Sequence, residues 1–233
     1  SMAQMMCLND ETKDALAGLS HIMIGGEALP GALVADLRGA SDAKLTNMYG
    51  PTETTIWSST RVAEGVGTVP LGTPIANTQF YVLDDAADIC PIGAEGELCI
   101  AGAGVTRGYW QRDDLTTERF VLSPKGDRMY RTGDLVRYRA DGELEFLGRV
   151  DNQIKLRGYR IELGEIESAL QGQAGVTQAV VIAREDTPGD VRLVGYLTGR
   201  GLSVDGLRAA LKAKLPTHMV PSALIELDAL PLT

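Results

Sequence analysis

The run of residues 130–167 constrains the fold most, because its hydrophobic pattern changes type within a few residues. Apolar and polar residues alternate in residues 135–139 and 144–147, and Asp141-Gly142 lies between them. Alternation around an Asp-Gly pair is typical of a β-hairpin. From residue 153 the pattern becomes that of a new, charged unit. We therefore predict two domains, residues 1–150 and 151–233, with the junction next to charged turns.

Composition and charge exclude several classes of protein. The chain has 233 residues, a net charge of −9 and no basic block, so we expect neither nucleic-acid nor membrane binding. Its three cysteines, Cys7, Cys90 and Cys99, lie apart and match no metal spacing. An unpaired set of this kind favours a reducing compartment, and we expect a cytoplasmic protein.

The first domain changes character along its length. Residues 16–24 and 44–49 predict buried strands on either side of a helix at residues 31–38, which is the β-α-β order at the end of a parallel α/β layer. Short strands at close spacing, at residues 80–83, 97–101 and 128–131, then predict a β-rich, barrel-like subdomain over residues 68–149 with a helix near 114–120.

The second domain reads as a small α+β lobe. Residues 163–171 and 204–215 have helical periodicity, and residues 179–185 and 191–198 predict a pair of strands. The charges of residues 157–167 are interpreted as a solvated helix start, and His218 as a packing residue. The predicted fold class is therefore α/β plus α+β.

Two loops after predicted strands carry polar residues suited to a nucleotide. Residues 47–55 (NMYGPTETT) offer hydroxyls for phosphate oxygens, a glutamate for Mg²⁺ and a tyrosine for a nucleobase. The alternative is a capped turn with Thr52 as the N-cap residue. The Gly25-Gly26-Glu27-Ala28 turn is a weaker signal, since many parallel strands end in this way.

Thr132-Gly133-Asp134 is the third such segment. It places an acid on what we predict to be an exposed bend, where a carboxylate can bind a ribose diol. Arg149 follows fifteen residues later and adds a cation. An ordinary acidic turn and a surface ion pair are the alternatives.

In their order along the chain, these motifs resemble one family. Gly-Gly-Glu, Tyr-Gly-Pro-Thr-Glu, Thr-Gly-Asp, Gly-Arg-x-Asp and Arg-Gly-x-Arg-Ile-Glu-Leu-Gly-Glu-Ile-Glu together resemble the adenylation domains of nonribosomal peptide synthetases. These domains belong to the adenylate-forming superfamily, which also contains acyl-CoA ligases and luciferases. The resemblance covers essentially the whole chain, and the last motif is highly specific.

The resemblance implies an activity and its partners. In that family a large N-terminal domain makes aminoacyl-AMP and pyrophosphate from ATP and an amino acid, with Mg²⁺. A small C-terminal domain then rotates, and the amino acid passes to the phosphopantetheine thiol of a peptidyl carrier protein. An MbtH-like protein is a further possible partner.

The resemblance also assigns roles to residues of this chain. The adenine, phosphate and ribose contacts fall on Gly26, Glu27, Ala28, Asn47, Tyr49, Gly50, Thr52, Asp134, Phe146 and Arg149. Catalytic roles fall on Thr52, on Glu53 as the Mg²⁺ ligand, and on Lys155, which faces the active site with the Arg157-Gly158 turn in the thioester-forming state. Asp151 is the hinge.

Pocket positions in the family correspond to Met23, Gly25, Met48, Ile56 and Trp57. An indole and two methionines leave little volume, so a small amino acid is expected. The run is similar to the pattern associated with glycine, and threonine-type pockets share part of it.

Departures from the family limit what we expect of the chain itself. The family's phosphate loop, the aspartate that holds the α-amino group and the lysine that follows the Leu230-Pro231-Leu232 run are absent, so we expect part of an adenylation domain that does not adenylate alone. Two other classes stay open. One is an acyl- or aryl-CoA ligase of the same superfamily, and the other is a non-catalytic docking lobe for a carrier or MbtH-like protein.

Overall fold

A computed structural model describes residues 2–64, 67–156, 158–187 and 190–231. The chain forms two compact units, Ser1–Val150 and Asp151–Thr233. Both contain helices and sheets, so the mixed α/β character predicted from the sequence is confirmed. Among the described residues, no helix has the length and apolar character needed to span a membrane.

The first unit contains four helices and nine strands within its described residues. In chain order these are α1 (Met2–Cys7), α2 (Asp10–Ala17), β1 (His21–Gly25), α3 (Gly31–Ala40), β2 (Lys44–Tyr49), a 3₁₀ turn (Thr52–Thr54), β3 (Ser59–Val62), β4 (Thr73–Pro74), β5 (Thr78–Leu83), β6 (Glu95–Gly102), α4 (Asp113–Arg119), β7 (Phe120–Leu122), β8 (Arg128–Tyr138) and β9 (Leu144–Arg149).

The first sheet has the strand order β1-β2-β3-β4, with β1 and β2 parallel. Leu33 and Leu37 of α3 pack with Leu45 of β2 in its core. The predictions for α3 and β2 are confirmed. The strand predicted over residues 16–24 is wrong in its first part, because Leu16 closes α2, whose first turn is capped by the Asn9 side chain.

The second sheet has the order β5-β6-β8-β7, and β9 pairs with β8. Its described strands are all antiparallel, and the Asp141-Gly142 hairpin joins β8 to β9, with Gly142 at a φ of 82°. The barrel-like description of this region stays a prediction. The exposed bend at Gly133-Asp134 is wrong: both residues lie inside the 11-residue strand β8, and Asp134 is 2% exposed.

The second unit contains β10 (Gln153–Leu156), β11 (Tyr159–Glu162), α5 (Leu163–Gln171), β12 (Val176–Thr187), β13 (Asp190–Gly199), α6 (Val204–Lys214), a 3₁₀ turn (Thr217–Met219) and β14 (Ala223–Glu226). Leu170 of α5, Leu211 of α6 and Leu197 of β13 are fully buried together. The solvated helix start predicted over residues 157–167 is wrong in its first part. Residues 159–162 form strand β11, which pairs with β10 and buries Ile161. Gly158, at a φ of 80°, turns the chain back between the two strands. The helix begins only at Leu163.

Candidate functional site

Three side chains from separate strands meet in the first unit. The Tyr49 hydroxyl, at the end of β2, donates a hydrogen bond to Asp134 Oδ2 over 2.5 Å. Arg149 lies opposite Asp134 in the β8–β9 ladder, and its NH1 group donates to Asp134 Oδ1, also over 2.5 Å. The Asp134 and Arg149 side chains are 4% and 9% exposed. The structure thus joins motifs that are 85 residues apart in the sequence.

This arrangement fixes the protonation of the tyrosine. Burial, followed by the charge of Asp134 and the hydrogen bond to it, raises the pKa of Tyr49 well above 10. The phenol therefore remains a hydrogen-bond donor to Asp134 at neutral pH. A carboxylate has about four lone-pair sites, so Asp134 retains acceptor capacity for a sugar hydroxyl beyond its two protein partners.

Two of the predicted nucleotide contacts, Asn47 and Phe146, lie on the same strands as Tyr49 and Arg149. Asn47 is buried, and its amide nitrogen donates to the Pro70 carbonyl over 3.0 Å, so that its oxygen is the acceptor suited to an adenine amino group. Phe146 lies opposite Val136 in the ladder and packs on the core of the second sheet. Stacking of Tyr49 on adenine stays a prediction, since its ring is 5% exposed and its hydroxyl faces Asp134.

The main chain of the glycine turn after β1 is accessible. Gly26 has a φ of 94°, and a Cβ atom placed on it meets no heavy atom within 4 Å. Its main chain therefore lies open, which suits the predicted backbone contact of Gly26, Glu27 and Ala28 with adenine. Gly50 serves a different purpose: a Cβ there would lie 2.5 Å from the Ile56 carbonyl oxygen, so the loop closes on itself at this residue.

Glu53 has a partner that the sequence did not indicate. The Tyr109 hydroxyl donates to Glu53 Oε1 over 2.7 Å, and the Thr106 amide donates to the Glu53 carbonyl over 2.9 Å. Thr55 is tied to the same loop through a hydrogen bond to the Gly104 carbonyl. Burial, then the hydrogen bonds to Tyr130 and Glu53, raises the pKa of Tyr109. No periodicity or local motif links residues so far apart.

Glu53 is the one predicted magnesium ligand in the loop after β2. Thr52 is exposed at the start of the 3₁₀ turn, with Pro51 in the N-cap position, so the alternative of a Thr52 cap is wrong. In the part of the chain that the structure describes, no group of three or more His, Cys, Asp or Glu side chains is assembled for a metal. Magnesium at phosphates is held by one or two carboxylates, nucleotide oxygens and water, and a lone Glu53 matches that mode.

The predicted substrate pocket is partly assembled on the open face of the first sheet. Gly25 and Met48 are partners across β1 and β2. A Cβ atom on Gly25 would lie 2.5 Å from the Trp57 ring and 2.4 Å from the Met48 carbonyl oxygen. The indole therefore lies directly on Gly25, a contact that any larger residue there would prevent.

The remaining pocket residues are exposed. Met23 precedes Gly25 by two positions on the same strand and is 67% exposed, and Ile56 is 59% exposed. Thr55 and Ile56 have φ values of 64° and 72°, a region that β-branched residues rarely adopt. Backbone strain of this kind is found where a loop must hold side chains in a defined direction.

The second unit carries the two other predicted positions. Asp151 is its first residue, and the Gln153 amide donates to Asp151 Oδ1. Lys155 lies on β10 opposite Arg160 of β11. Arg157 lies outside the described residues. His218 stacks on Tyr159, with ring centroids 3.9 Å apart and an interplanar angle of 10°, which supports its interpretation as a packing residue.

Comparison with known families decides the identity of this arrangement. The model of the AMP-binding enzyme family matches residues 1–110, and the model of the AMP-binding enzyme C-terminal domain matches residues 165–233. The dimodular nonribosomal peptide synthase of Bacillus subtilis (strain 168) is 51% identical over 226 residues, covering 94% of this chain and 9% of the synthase. The chain belongs to the AMP-binding enzyme family, among the adenylation domains of nonribosomal peptide synthetases.

Solved structures of adenylation domains share this fold. A nonribosomal peptide synthetase protein with adenylation and carrier domains, bound to a vinylsulfonamide inhibitor, has a TM-score of 0.85 and 34% identity, covering 99% of this chain and 41% of the other. A four-domain synthetase bound to AMP and glycine has a TM-score of 0.56 and 44% identity, covering 96% of this chain and 18% of the other. The chain thus spans less than half of the length of these two solved proteins and about a tenth of the length of the Bacillus subtilis synthase.

Proposed function

We propose that the chain is part of an adenylation domain that makes aminoacyl-AMP from ATP, with Mg²⁺, and a small amino acid, with glycine favoured. The observation that carries this proposal is the buried Tyr49–Asp134–Arg149 contact, because it joins three separate family motifs in one polar group. A buried carboxylate with a cation and a phenol already in place is a preorganised acceptor for a ribose diol.

The nucleotide-binding residues have separable tasks. Asp134, held by Arg149, accepts from the ribose hydroxyls, and Asn47 accepts from the adenine amino group. Thr52 donates its exposed hydroxyl to a phosphate oxygen, and Glu53 holds the metal. Bound magnesium would neutralise charge on the phosphate during transfer. The contribution of these residues is mainly positional and electrostatic.

Glycine is favoured by the contact between Trp57 and Gly25. The indole occupies the space above the β1–β2 ladder, where a longer substrate side chain would otherwise lie. The solved synthetase that is 44% identical was bound to AMP and glycine, which supports the same assignment. Steric exclusion separates glycine from large substrates, but a single methylene contributes only ~1–3 kcal/mol of discrimination.

The second half of the proposed reaction uses the second unit. After a rotation about Asp151, Lys155 faces the active site, and the aminoacyl group passes to the phosphopantetheine thiol of a peptidyl carrier protein. The thiol sulfur attacks the carbonyl carbon and gives up its proton to water, the bond from that carbon to the phosphate oxygen breaks, and AMP leaves. Relatives that contain both adenylation and carrier domains support this partner. An MbtH-like protein and a cytoplasmic location remain part of the proposal.

Amino-acid-dependent exchange of pyrophosphate into ATP tests the proposal. We expect the intact adenylation domain to exchange with glycine and this chain alone to be inactive. Exchange by this chain alone would refute the expectation that it is inactive. Consumption of coenzyme A with a carboxylic acid, in place of amino-acid-dependent exchange, would favour a CoA ligase.

A further inference from the structure

Strand β8 contains an insertion next to the proposed ribose ligand. On β6, Glu97 pairs with Leu135 of β8 and Cys99 pairs with Arg131, so the ladder advances two residues on one strand and four on the other. Leu98 alone lies opposite Thr132, Gly133 and Asp134, two residues more than β6 supplies, and these three residues form a bulge in which Gly133 has a φ of 73°. Bulges of this kind change the direction of a side chain within a strand.

The Glu97 carboxylate is one of the groups that hold the bulge in place. The Arg149 guanidinium donates to the Thr132 carbonyl over 3.0 Å, and the Val150 amide donates to the Gly133 carbonyl over 2.9 Å. Glu97 Oε1 accepts a hydrogen bond from the Gly133 amide over 2.9 Å. Its other oxygen, Oε2, accepts two hydrogen bonds from the Arg131 guanidinium, over 2.6 and 2.8 Å. The Glu97 side chain is 9% exposed. A buried charge is stable only when it is paired and hydrogen-bonded, and both oxygens of Glu97 meet that condition.

A second tie fixes the residue on each side of Gly133. The Thr132 hydroxyl donates to the Leu98 carbonyl over 2.7 Å and accepts from the Asp134 amide over 2.9 Å. The main chain of the bulge is therefore connected to β6 on both sides of the glycine. Glycine adopts more backbone conformations than any other residue. The hydrogen bond from the Gly133 amide to Glu97 therefore restricts the backbone of Gly133 and the direction of the adjacent Asp134.

We propose that Glu97 is a positioning residue for the nucleotide: it holds the β8 bulge in the conformation that directs Asp134 at the ribose. This inference rests on the proposed role of Asp134 as ribose ligand. Glu97 does not touch the nucleotide itself. Its effect is therefore confined to the sugar, and it sets how strongly ATP is preferred over 2′-deoxyATP.

A purely structural ion pair makes a different prediction. Loss of such a pair lowers stability and weakens both nucleotides by the same factor. Loss of a positioning contact weakens ATP, which has both hydroxyls of the ribose diol on Asp134, more than 2′-deoxyATP, which has only the 3′-hydroxyl. The ratio of the two Michaelis constants therefore separates the roles.

The experiment compares Glu97→Met with Glu95→Met in the intact adenylation domain, because methionine has a similar length and no oxygen that could accept from the Gly133 amide. Glu95 lies on the same strand, 56% exposed and 4.0 Å from Arg137, so its replacement changes the same charge without touching the bulge. Glycine-dependent pyrophosphate exchange gives KM for ATP and for 2′-deoxyATP, and calorimetry gives Kd for AMP and 2′-deoxyAMP. We expect the preference for the ribonucleotide to fall about tenfold in Glu97→Met, as for a lost hydrogen bond to a charged group, and to stay within twofold in Glu95→Met.

Two further variants keep the test decisive. Arg131→Gln removes the ion pair but leaves the bond from Gly133 to Glu97, so it lowers the melting temperature with the nucleotide ratio unchanged. If Glu97→Met does not fold, Thr132→Val removes the other tie of the bulge and lowers the same ratio. An unchanged ratio in a folded Glu97→Met or Thr132→Val variant overturns the inference alone. If the wild-type protein does not prefer ATP over 2′-deoxyATP, the proposed role of Asp134 as ribose ligand is wrong, and the inference about Glu97 falls with it.

Discussion

Replacing Arg149 by methionine is predicted to destabilise the first unit far more than the loss of an ordinary ion pair. Arg149 is 9% exposed and Asp134 4% exposed, so the variant leaves a carboxylate buried without its cation. Removing one partner of a buried pair costs about 3–5 kcal/mol. At about 2–4 °C per kcal/mol for a protein of this size, the melting temperature falls by roughly 6–20 °C.

The same two strands provide the control. Arg137 pairs with Glu145 across β8 and β9 over 2.7 Å, but these side chains are 40% and 37% exposed. An exposed pair contributes about 0–1 kcal/mol, so Arg137→Met is expected to lower the melting temperature by less than about 4 °C.

Thermal unfolding followed by circular dichroism measures both variants. The double variant Asp134→Asn, Arg149→Met removes the buried charge together with its partner, and we expect it to regain at least half of the lost stability. Equal melting temperatures for Arg149→Met and Arg137→Met would refute the description of Asp134 as a buried, preorganised acceptor.

Three further predictions follow from single contacts. Tyr109→Phe removes a hydrogen bond to the Glu53 carboxylate, so we expect about tenfold weaker Mn²⁺ binding in the presence of ATP, measured by electron paramagnetic resonance, with Tyr138→Phe unchanged. Burial raises the pKa of Cys99 from 9 to about 12, so only two of the three thiols of the native protein should react rapidly with a disulfide reagent at pH 8. Rapid reaction of all three thiols would contradict the burial of Cys99. Burial also raises the pKa of Tyr49 above 10, so the folded state keeps a proton that the unfolded state loses. The free energy of unfolding, measured by urea titration, should therefore fall as the pH rises above about 10, and less steeply in Tyr49→Phe. Equal slopes in the two proteins would contradict the raised pKa of Tyr49.

Local sequence patterns were sufficient for the elements whose signal is local. Strand β2 and helix α3 were predicted within two residues of their bounds, because apolar residues at the period of a strand or a helix decide such segments. The strand predicted over residues 16–24 was partly wrong for the same reason: a short apolar run does not distinguish the end of a helix from the start of a strand. The sequence signal for helix α2 is Asn9, whose side chain caps the first turn.

The site depended on contacts that no local pattern contains. Asp134 was predicted on an exposed bend, since Gly-Asp commonly marks a turn. It is buried within β8, where Arg149 pairs with it and Glu97 accepts from the adjacent Gly133 amide, a contact that joins residues 36 positions apart. Tyr109 was missed because its hydroxyl reaches Glu53 across 56 positions. The ordered set of motifs found the family, but only the folded chain reveals which side chains hold those motifs in place.

The most direct test of the central claim is glycine-dependent exchange of pyrophosphate into ATP by the intact adenylation domain, run against all twenty amino acids with wild type and Asp134→Asn. The account predicts the strongest exchange with glycine in the wild type, and a rise in KM for ATP in the variant that is much smaller for 2′-deoxyATP. No exchange with any amino acid, or an Asp134→Asn variant with unchanged KM for ATP, would contradict the account.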